Sequence, residues 1–309
     1  MQPLKPLKSK RVLNPSIHSE SKVSLLKDFA EITKVRLSIS VVFSSVAGYL
    51  LGAESIDLGI LVMLSLGGYF MVGASNAFNQ IIERDLDALM DRTKNRPVAS
   101  GRMSVQTAFI IAALFTVAGL TLLYIINQKT ALFGAISIFM YVSLYTPLKT
   151  KTPLSVFVGA FPGAIPFMLG WVAATNNFGI EAGTLFMIQF FWQFPHFWAI
   201  GWFLYDDYKK GGFFMLPNGK RDKGTALQVV LYSLWTVLCS LIPAFGLTGR
   251  FYISHVSAVL VGLLGVWFVY GAITLYKKRD AKTARKLMLI SVSYITLLQI
   301  IYVADKFIR

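Results

Sequence analysis

Charged residues are scarce in this chain. They make up 15% of its 309 residues, against roughly 25% in a typical soluble domain. No charge at all falls between residues 58 and 78, so an ordinary water-soluble fold is excluded. Cysteine is nearly absent as well. Cys239 stands alone in an apolar segment, which rules out an internal disulfide and a thiolate metal site. Acidic residues number 15 against 30 Lys and Arg, and histidines only three. Residues 1–28 contain no apolar stretch of the kind a secretory signal needs. No internal repeat and no soluble domain stand out.

Apolar runs are what the chain has instead. Stretches of about 18 or more apolar residues read as membrane spans, and nine are predicted, at residues 37–53, 58–82, 105–126, 131–148, 154–174, 184–204, 225–247, 253–276 and 287–303. The net charge of +15 invites a nucleic-acid reading, but its placement opposes one. With nine spans and the N-terminus inside, 26 of the 30 Lys and Arg fall on the inner side, the positive-inside bias of a membrane protein. The expected architecture is an all-α polytopic membrane bundle. Residues 1–30 are expected to form a basic cytoplasmic tail and residues 31–309 the transmembrane domain, with the C-terminus outside and no nucleic-acid partner.

The second run ends in a polar ladder, Asn79, Glu83, Asp87 and Asp91. A spacing of four returns to nearly the same helix face about 6 Å further on. Like charges so placed repel by a few tenths of a kcal/mol per pair, and a divalent cation is the simplest group to offset that. The loop after this span starts acidic and turns basic, with Arg92, Lys94, Arg96 and Arg102. The loop after span six repeats the order, with Asp206 and Asp207 and then Lys209, Lys210, Lys220, Arg221 and Lys223. Both loops lie on one membrane face. Magnesium is usually held by one or two carboxylates plus substrate phosphates, while Lys and Arg neutralise the remaining phosphate charge. The arrangement suits a diphosphate with a lipid tail descending into the bundle. Arg102, Lys220 and Lys223 read as solvated juxtamembrane charges.

These motifs resemble the UbiA-type intramembrane prenyltransferases. The first signature is Asn79-x-x-x-Glu83-x-x-x-Asp87, continued by Met90-Asp-Arg92-Thr93-Lys-Asn95-Arg96-Pro97. The second is Asp207-Tyr208-x-x-Gly211-Gly212-x-x-Met215-Leu216-Pro217. Tyr145-Thr146-Pro147-Leu148-Lys149 and Gly163-Ala-x-Pro166-x-x-x-Gly170-Trp171 agree with the family, and Glu83, Arg92-Thr93, Met215-Leu216-Pro217 and the run Trp192-Gln193-x-Pro195-His196-Phe197-Trp198 resemble its heme-farnesylating subgroup. The likeness runs from about Lys34 to the last span. Two departures are Lys34-Val35-Arg36, where Lys-Pro-Arg is usual, and Ser155, where Asn is common.

The resemblance implies a Mg2+-dependent enzyme. It would transfer the farnesyl group of farnesyl diphosphate to a vinyl group of protoheme IX (heme B), with addition of water, to give heme O. It further implies Asn79, Glu83, Asp87 and Asp207 as the metal-binding, catalytic set, and Lys34, Arg36, Arg92, Arg96 and Lys149 as diphosphate cations. His196, deep in span six, and Tyr208 are the expected heme contacts. For His196 the roles open are iron ligand, propionate partner and buried structural histidine. Tyr69, Phe70, Tyr145 and Trp192 lie on the relevant spans as aromatics able to face an allylic cation. A bacterial plasma membrane is the expected location, with a heme A synthase or terminal oxidase assembly factor as partner. The rival readings are a prenyltransferase acting on an aromatic quinone precursor or another tetrapyrrole, and a cation-coupled transporter.

Overall fold

The computed structural model describes residues 25–309, and among them every regular element is helical. The expected tail therefore lies largely outside the described residues. A short helix α1 (Leu25–Ile32) spans the expected boundary at residue 30 and precedes α2 (Val35–Gly52) and α3 (Leu58–Ile82). The single-turn α4 (Arg84–Asp87) is followed by α5 (Val105–Ile126) and α6 (Gln128–Phe139). A wider π-turn (Met140–Tyr145) and α7 (Thr146–Leu148) continue α6 to the end of its span. Then come α8 (Leu154–Thr175), α9 (Ile180–Phe203), α10 (Tyr205–Lys210), α11 (Lys223–Leu241) with a terminal 3-10 turn, α12 (His255–Lys278) and α13 (Ala281–Ile308).

Nine of these segments in the described residues have spanning length, and the protein is an integral membrane protein. Eight are also strongly apolar. The ninth, α9, has 24 residues and carries Gln189, Gln193 and His196, of which the two glutamines are buried inside the bundle rather than facing lipid. The last helix runs well past the predicted 287–303. Its extensions carry Lys282, Arg285, Lys286, Asp305 and Lys306, which an apolar-run criterion discards.

Helix starts follow local chemistry. Asp57, Ser104, Asp222, Ser254 and Asp280 each accept a hydrogen bond from a first-turn backbone N–H of α3, α5, α11, α12 and α13, satisfying donors that lipid could not. Far from α4, Asp305 accepts from Ser254 and Ser257 at the start of α12, and the adjacent Lys306 donates to the Leu50, Leu51 and Ala53 carbonyls at the end of α2. Each charge thus meets the helix end of opposite partial charge.

Helix α8 is the hub, buried along most of its length between α2, α6 and α9. Glycine permits the approach. A Cβ on Gly170 would stand 1.9 Å from the Ser45 carbonyl oxygen, and one on Gly48 would stand 2.0 Å from that of Phe167. Without a hydrophobic drive between helices in lipid, such close backbone packing is a main source of association. Ser155, at the family's usual Asn, is buried and donates to the Phe214 carbonyl at 3.5 Å. It ties α8 to the segment after α10.

Candidate active site

A cavity of about 370 Å3 opens between α2, α3, the α6–α7 segment, α8 and α9. Its mouth lies where α3 ends. Helix α3 stops at Ile82, Glu83 caps it, and α4 starts at Arg84. The break preserves the spacing of four, because Glu83 N–H donates to the Asn79 carbonyl at 2.9 Å and Asp87 N–H to that of Glu83 at 2.7 Å. Asn79, Glu83 and Asp87 are therefore all buried and all line the cavity. Asp85 points elsewhere, 84% exposed and paired with Arg84. Asp91 sits outside the cavity, paired with Lys94 and Lys210, which hold its carboxyl down to about 2.

The repulsion along the ladder is offset by the chain's own cations, where sequence reasoning assigned that task to a divalent ion. Lys149 Nζ stands 2.8 Å from Glu83 Oε1. Arg96 Nη1 donates to both oxygens of Asp87 at 2.9 and 2.7 Å. Burial nonetheless pushes the Asp87 carboxyl up, outweighing Arg96. Glu83 Oε1 has no well-directed hydrogen bond despite its burial, and Asn79 spends only its amide nitrogen, on Thr146 Oγ1 at 3.4 Å. Oxygen acceptors are thus present for a hard cation. Among the described residues no cluster of three or more His, Cys, Asp or Glu forms a closed metal cage. That suits magnesium, which keeps water and substrate phosphate in its shell.

Asp207 is not brought into this set. Helix α9 ends at Phe203 and α10 turns away, and the Asp207 carboxylate accepts the backbone N–H groups of Asp91 at 2.8 Å and Arg92 at 3.4 Å. It clasps one loop to the other and does not line the cavity. Asp206 is exposed and paired with Arg221.

Four of the five expected diphosphate cations, Lys34, Arg92, Arg96 and Lys149, line the cavity. With Glu83 and Asp87 as the only carboxylates among its lining residues, the mouth has four basic side chains against two acidic ones. Lys34 is held in the left-handed region at φ 47°, ψ 56°, between α1 and α2, a conformation that costs a non-glycine residue about 1–3 kcal/mol and concentrates at functional sites. Burial, then repulsion from Arg96 and Lys149, lowers its ammonium to about 7. Arg92 lies over the Tyr208 ring at 5.5 Å. That places Tyr208, an expected heme contact, at the diphosphate end of the cavity. Lys149 caps the Tyr145 ring at 4.5 Å. Arg36 is exposed and off the cavity. Arg102, expected to be solvated, instead bridges Asp28 at 2.8 Å and Glu31 at 2.6 Å and so ties α1 to the loop before α5.

Deeper, the lining becomes apolar, with Leu37, Val41, Pro162, Pro166, Phe197 and Ile200. Tyr145 faces it, whereas Tyr69 and Phe70 pack on Phe115 away from it. Trp192 stacks on His196 at 4.6 Å, and His196 lines the cavity wall. Sequence reasoning missed Tyr141, Asn76 and Ser291. Tyr141, Tyr145 and Lys149 repeat every four residues, a signal that was available. Asn76 precedes Asn79 by one turn and lines the cavity. Ser291, hydrogen-bonded to His196 at 2.8 Å, carried no signal at all.

Residues 41–296 match the UbiA prenyltransferase family. A protein named protoheme IX farnesyltransferase from Christiangramia forsetii is 70% identical over 296 residues, covering 96% of this chain and 98% of its own. Among solved structures, a digeranylgeranylglyceryl phosphate synthase superimposes with a TM-score of 0.75 at 20% identity, covering 91% of this chain and 98% of its own. A UbiA homologue from Archaeoglobus fulgidus, bound to DMAPP and Mg2+, gives 0.68 at 15% identity over 90% and 99%.

Proposed function

This chain belongs to the UbiA prenyltransferase family, and we propose that it farnesylates heme B. The farnesyl group of farnesyl diphosphate is joined to a vinyl group of protoheme IX with addition of water, giving heme O and diphosphate. The carrying observation is one cavity with a cation-rich, carboxylate-bearing mouth and an apolar interior that His196 helps to line. The 70% identical relative of that name supports the choice of acceptor.

The chemistry follows the lining. Heterolysis of the allylic C–O bond leaves its electron pair on the diphosphate. Lys34, Arg92, Arg96 and Lys149 are already placed where that charge develops, so they stabilise the transition state without reorganising. Mg2+, held by Glu83, Asp87 and the Asn79 amide oxygen, would supply Lewis-acid neutralisation of the phosphate oxygens. Lys149 and Arg96, paired with Glu83 and Asp87 at the same mouth, hold positive charge beside the phosphate oxygens. The allylic cation is kept from water by Val41, Phe197 and Ile200 and faces the negative π-surfaces of Tyr141 and Tyr145. The vinyl carbon forms the new C–C bond. Water then adds its oxygen to the cation left beside the porphyrin ring and releases a proton.

We further place the enzyme in a bacterial plasma membrane with the diphosphate mouth cytoplasmic, consistent with the Lys and Arg distribution. The test is incubation of purified protein with heme B, farnesyl diphosphate and Mg2+. The expected product is a more hydrophobic heme heavier by one farnesyl group and one hydroxyl. No conversion of heme, with prenylation of 4-hydroxybenzoate instead, would overturn the reading.

A further inference from the structure

The hydrogen bonds around His196 determine which of its nitrogens is free. Ser291 Oγ has a single hydrogen and donates it to the Met288 carbonyl at 2.7 Å. The assignment that satisfies both contacts has the Met288 carbonyl, which can only accept, take the hydroxyl hydrogen and has Nδ1–H donate to Ser291 Oγ at 2.8 Å, leaving the lone pair on Nε2. The ring is fixed from three sides. Trp192 stacks on it at 4.6 Å and 18°, Phe197 meets it edge-on at 5.4 Å, and the Trp192 indole N–H donates to the Ser291 carbonyl at 2.7 Å. Nε2 has no partner among the described residues, and His196 is partly exposed to the cavity it lines.

A free imidazole nitrogen in a cavity has two chemical uses, accepting a proton or binding a metal. Proton acceptance creates an imidazolium, and among the described residues the groups that meet this ring are Trp192, Phe197 and the Ser291 hydroxyl. None is an anion, and burying an unpaired charge is costly. Metal binding requires the neutral ring that this site holds. A ligating histidine almost always donates its other N–H to a fixed acceptor, which is what Ser291 provides. Imidazole is also a common axial ligand of haem iron. The depth is suitable too. His196 is seven residues, about 10 Å of helix, from the end of α9, so a ring anchored by its centre has its rim free to reach the diphosphate mouth.

We propose that His196 Nε2 is the axial ligand of the substrate's iron, and that Ser291 is the positioning residue that sets its tautomer and aim. The proposal rests on the heme reading above. It is tested by titrating the full chain in nanodiscs with heme B and, separately, with metal-free protoporphyrin IX, without farnesyl diphosphate. The wild type is expected to bind heme B at least tenfold more tightly than the metal-free ring and to give a nitrogen-ligated ferric signal in electron paramagnetic resonance. His196→Ala should bring that ratio close to one and abolish the signal, and free imidazole should restore the signal. Ser291→Ala should keep the ratio above one but lower it severalfold. Farnesyl diphosphate binding within twofold of wild type identifies folded variants, and His196→Gln replaces His196→Ala if the latter fails that check. A wild-type ratio near one, or an unchanged ratio and signal in the folded His196 variant, overturns the proposal. If heme is converted normally in that case, only the ligation falls. If the wild type neither binds nor converts heme, the acceptor reading falls with it.

Discussion

Replacing Asp87 by Asn separates the metal role of the ladder from its structural role. The side chain is 1% exposed, and both oxygens are held by Arg96. Asn keeps the shape and one acceptor but removes the charge. Breaking a buried pair by deleting one partner costs about 3–5 kcal/mol when the other charge is stranded. Here Arg96 is 17% exposed into an open cavity, so solvent screening brings the stability loss down to about 1–2 kcal/mol. The electrostatic consequence for catalysis is larger. A unit charge about 4 Å from another is worth about 4 kcal/mol at an effective dielectric of 20. Losing one carboxylate from the cation site should therefore lower turnover by about 10²–10³-fold, in line with removal of one preorganised stabilising group.

The same change should act oppositely on the free diphosphate. The mouth's excess of positive charge rises by one, and Arg96 is released from its partner. Metal-free binding of farnesyl diphosphate should be as tight as in wild type or several-fold tighter. The assay is calorimetric binding of farnesyl diphosphate with and without Mg2+, alongside chromatographic measurement of heme conversion across a Mg2+ titration. Turnover within threefold of wild type at an unchanged Mg2+ requirement would refute the reasoning and leave Asp87 as a structural partner of Arg96.

Three other outcomes are expected. Lys34, lowered to about 7 by burial and by Arg96 and Lys149, is largely neutral in the free protein at pH 8, while bound diphosphate favours its charged form. Binding at pH 8 should therefore take up close to one proton and at pH 6 almost none, and affinity should fall by up to tenfold per pH unit above 7; calorimetry in buffers of differing ionisation heat measures this, and no uptake at pH 8 counts against it. Gly170→Ala forces a Cβ to within 1.9 Å of the Ser45 carbonyl, whereas Gly183→Ala meets nothing within 4 Å. The first should destabilise by about 1–3 kcal/mol or more through overpacking and the second should be neutral or stabilising by up to about 1 kcal/mol, so equal melting temperatures in detergent would disprove the close α2–α8 crossing. Asp207→Ala leaves the exposed Asp91 and Arg92 N–H groups to water at a local cost of about 0.5–1.5 kcal/mol, and hydrogen exchange of residues 91–92 should accelerate; unchanged exchange would return Asp207 to the cation site.

Much of the architecture was legible because lipid allows so few solutions. Every backbone polar group must be satisfied within its own helix, so each long apolar run announced one helix, and nine segments of spanning length are found among the described residues. The ladder was legible for the same reason, since Asn79, Glu83 and Asp87 need only helical periodicity to share a face. Partnership across the bundle was not. Nothing local in Glu83 or Asp87 says that Lys149 and Arg96 will sit on them, and the family-based grouping of Asp207 with the ladder overlooked the turn at Leu204 that aims it at the Asp91 and Arg92 amides instead. Arg36 lies inside α2 and is exposed off the cavity, whereas Lys34 precedes the helix. What no periodicity argument could supply is the left-handed Lys34 and the π-turn of residues Met140–Tyr145. Each departs from the regular register on which such arguments depend, and each aims a cavity-lining side chain, Lys34 in one case and Tyr141 and Tyr145 in the other. These two irregular segments border the cavity, while the left-handed Asn176 and Arg279 cap helices away from it. The regular helices supply the walls, and the broken segments place the groups that must meet a charged substrate.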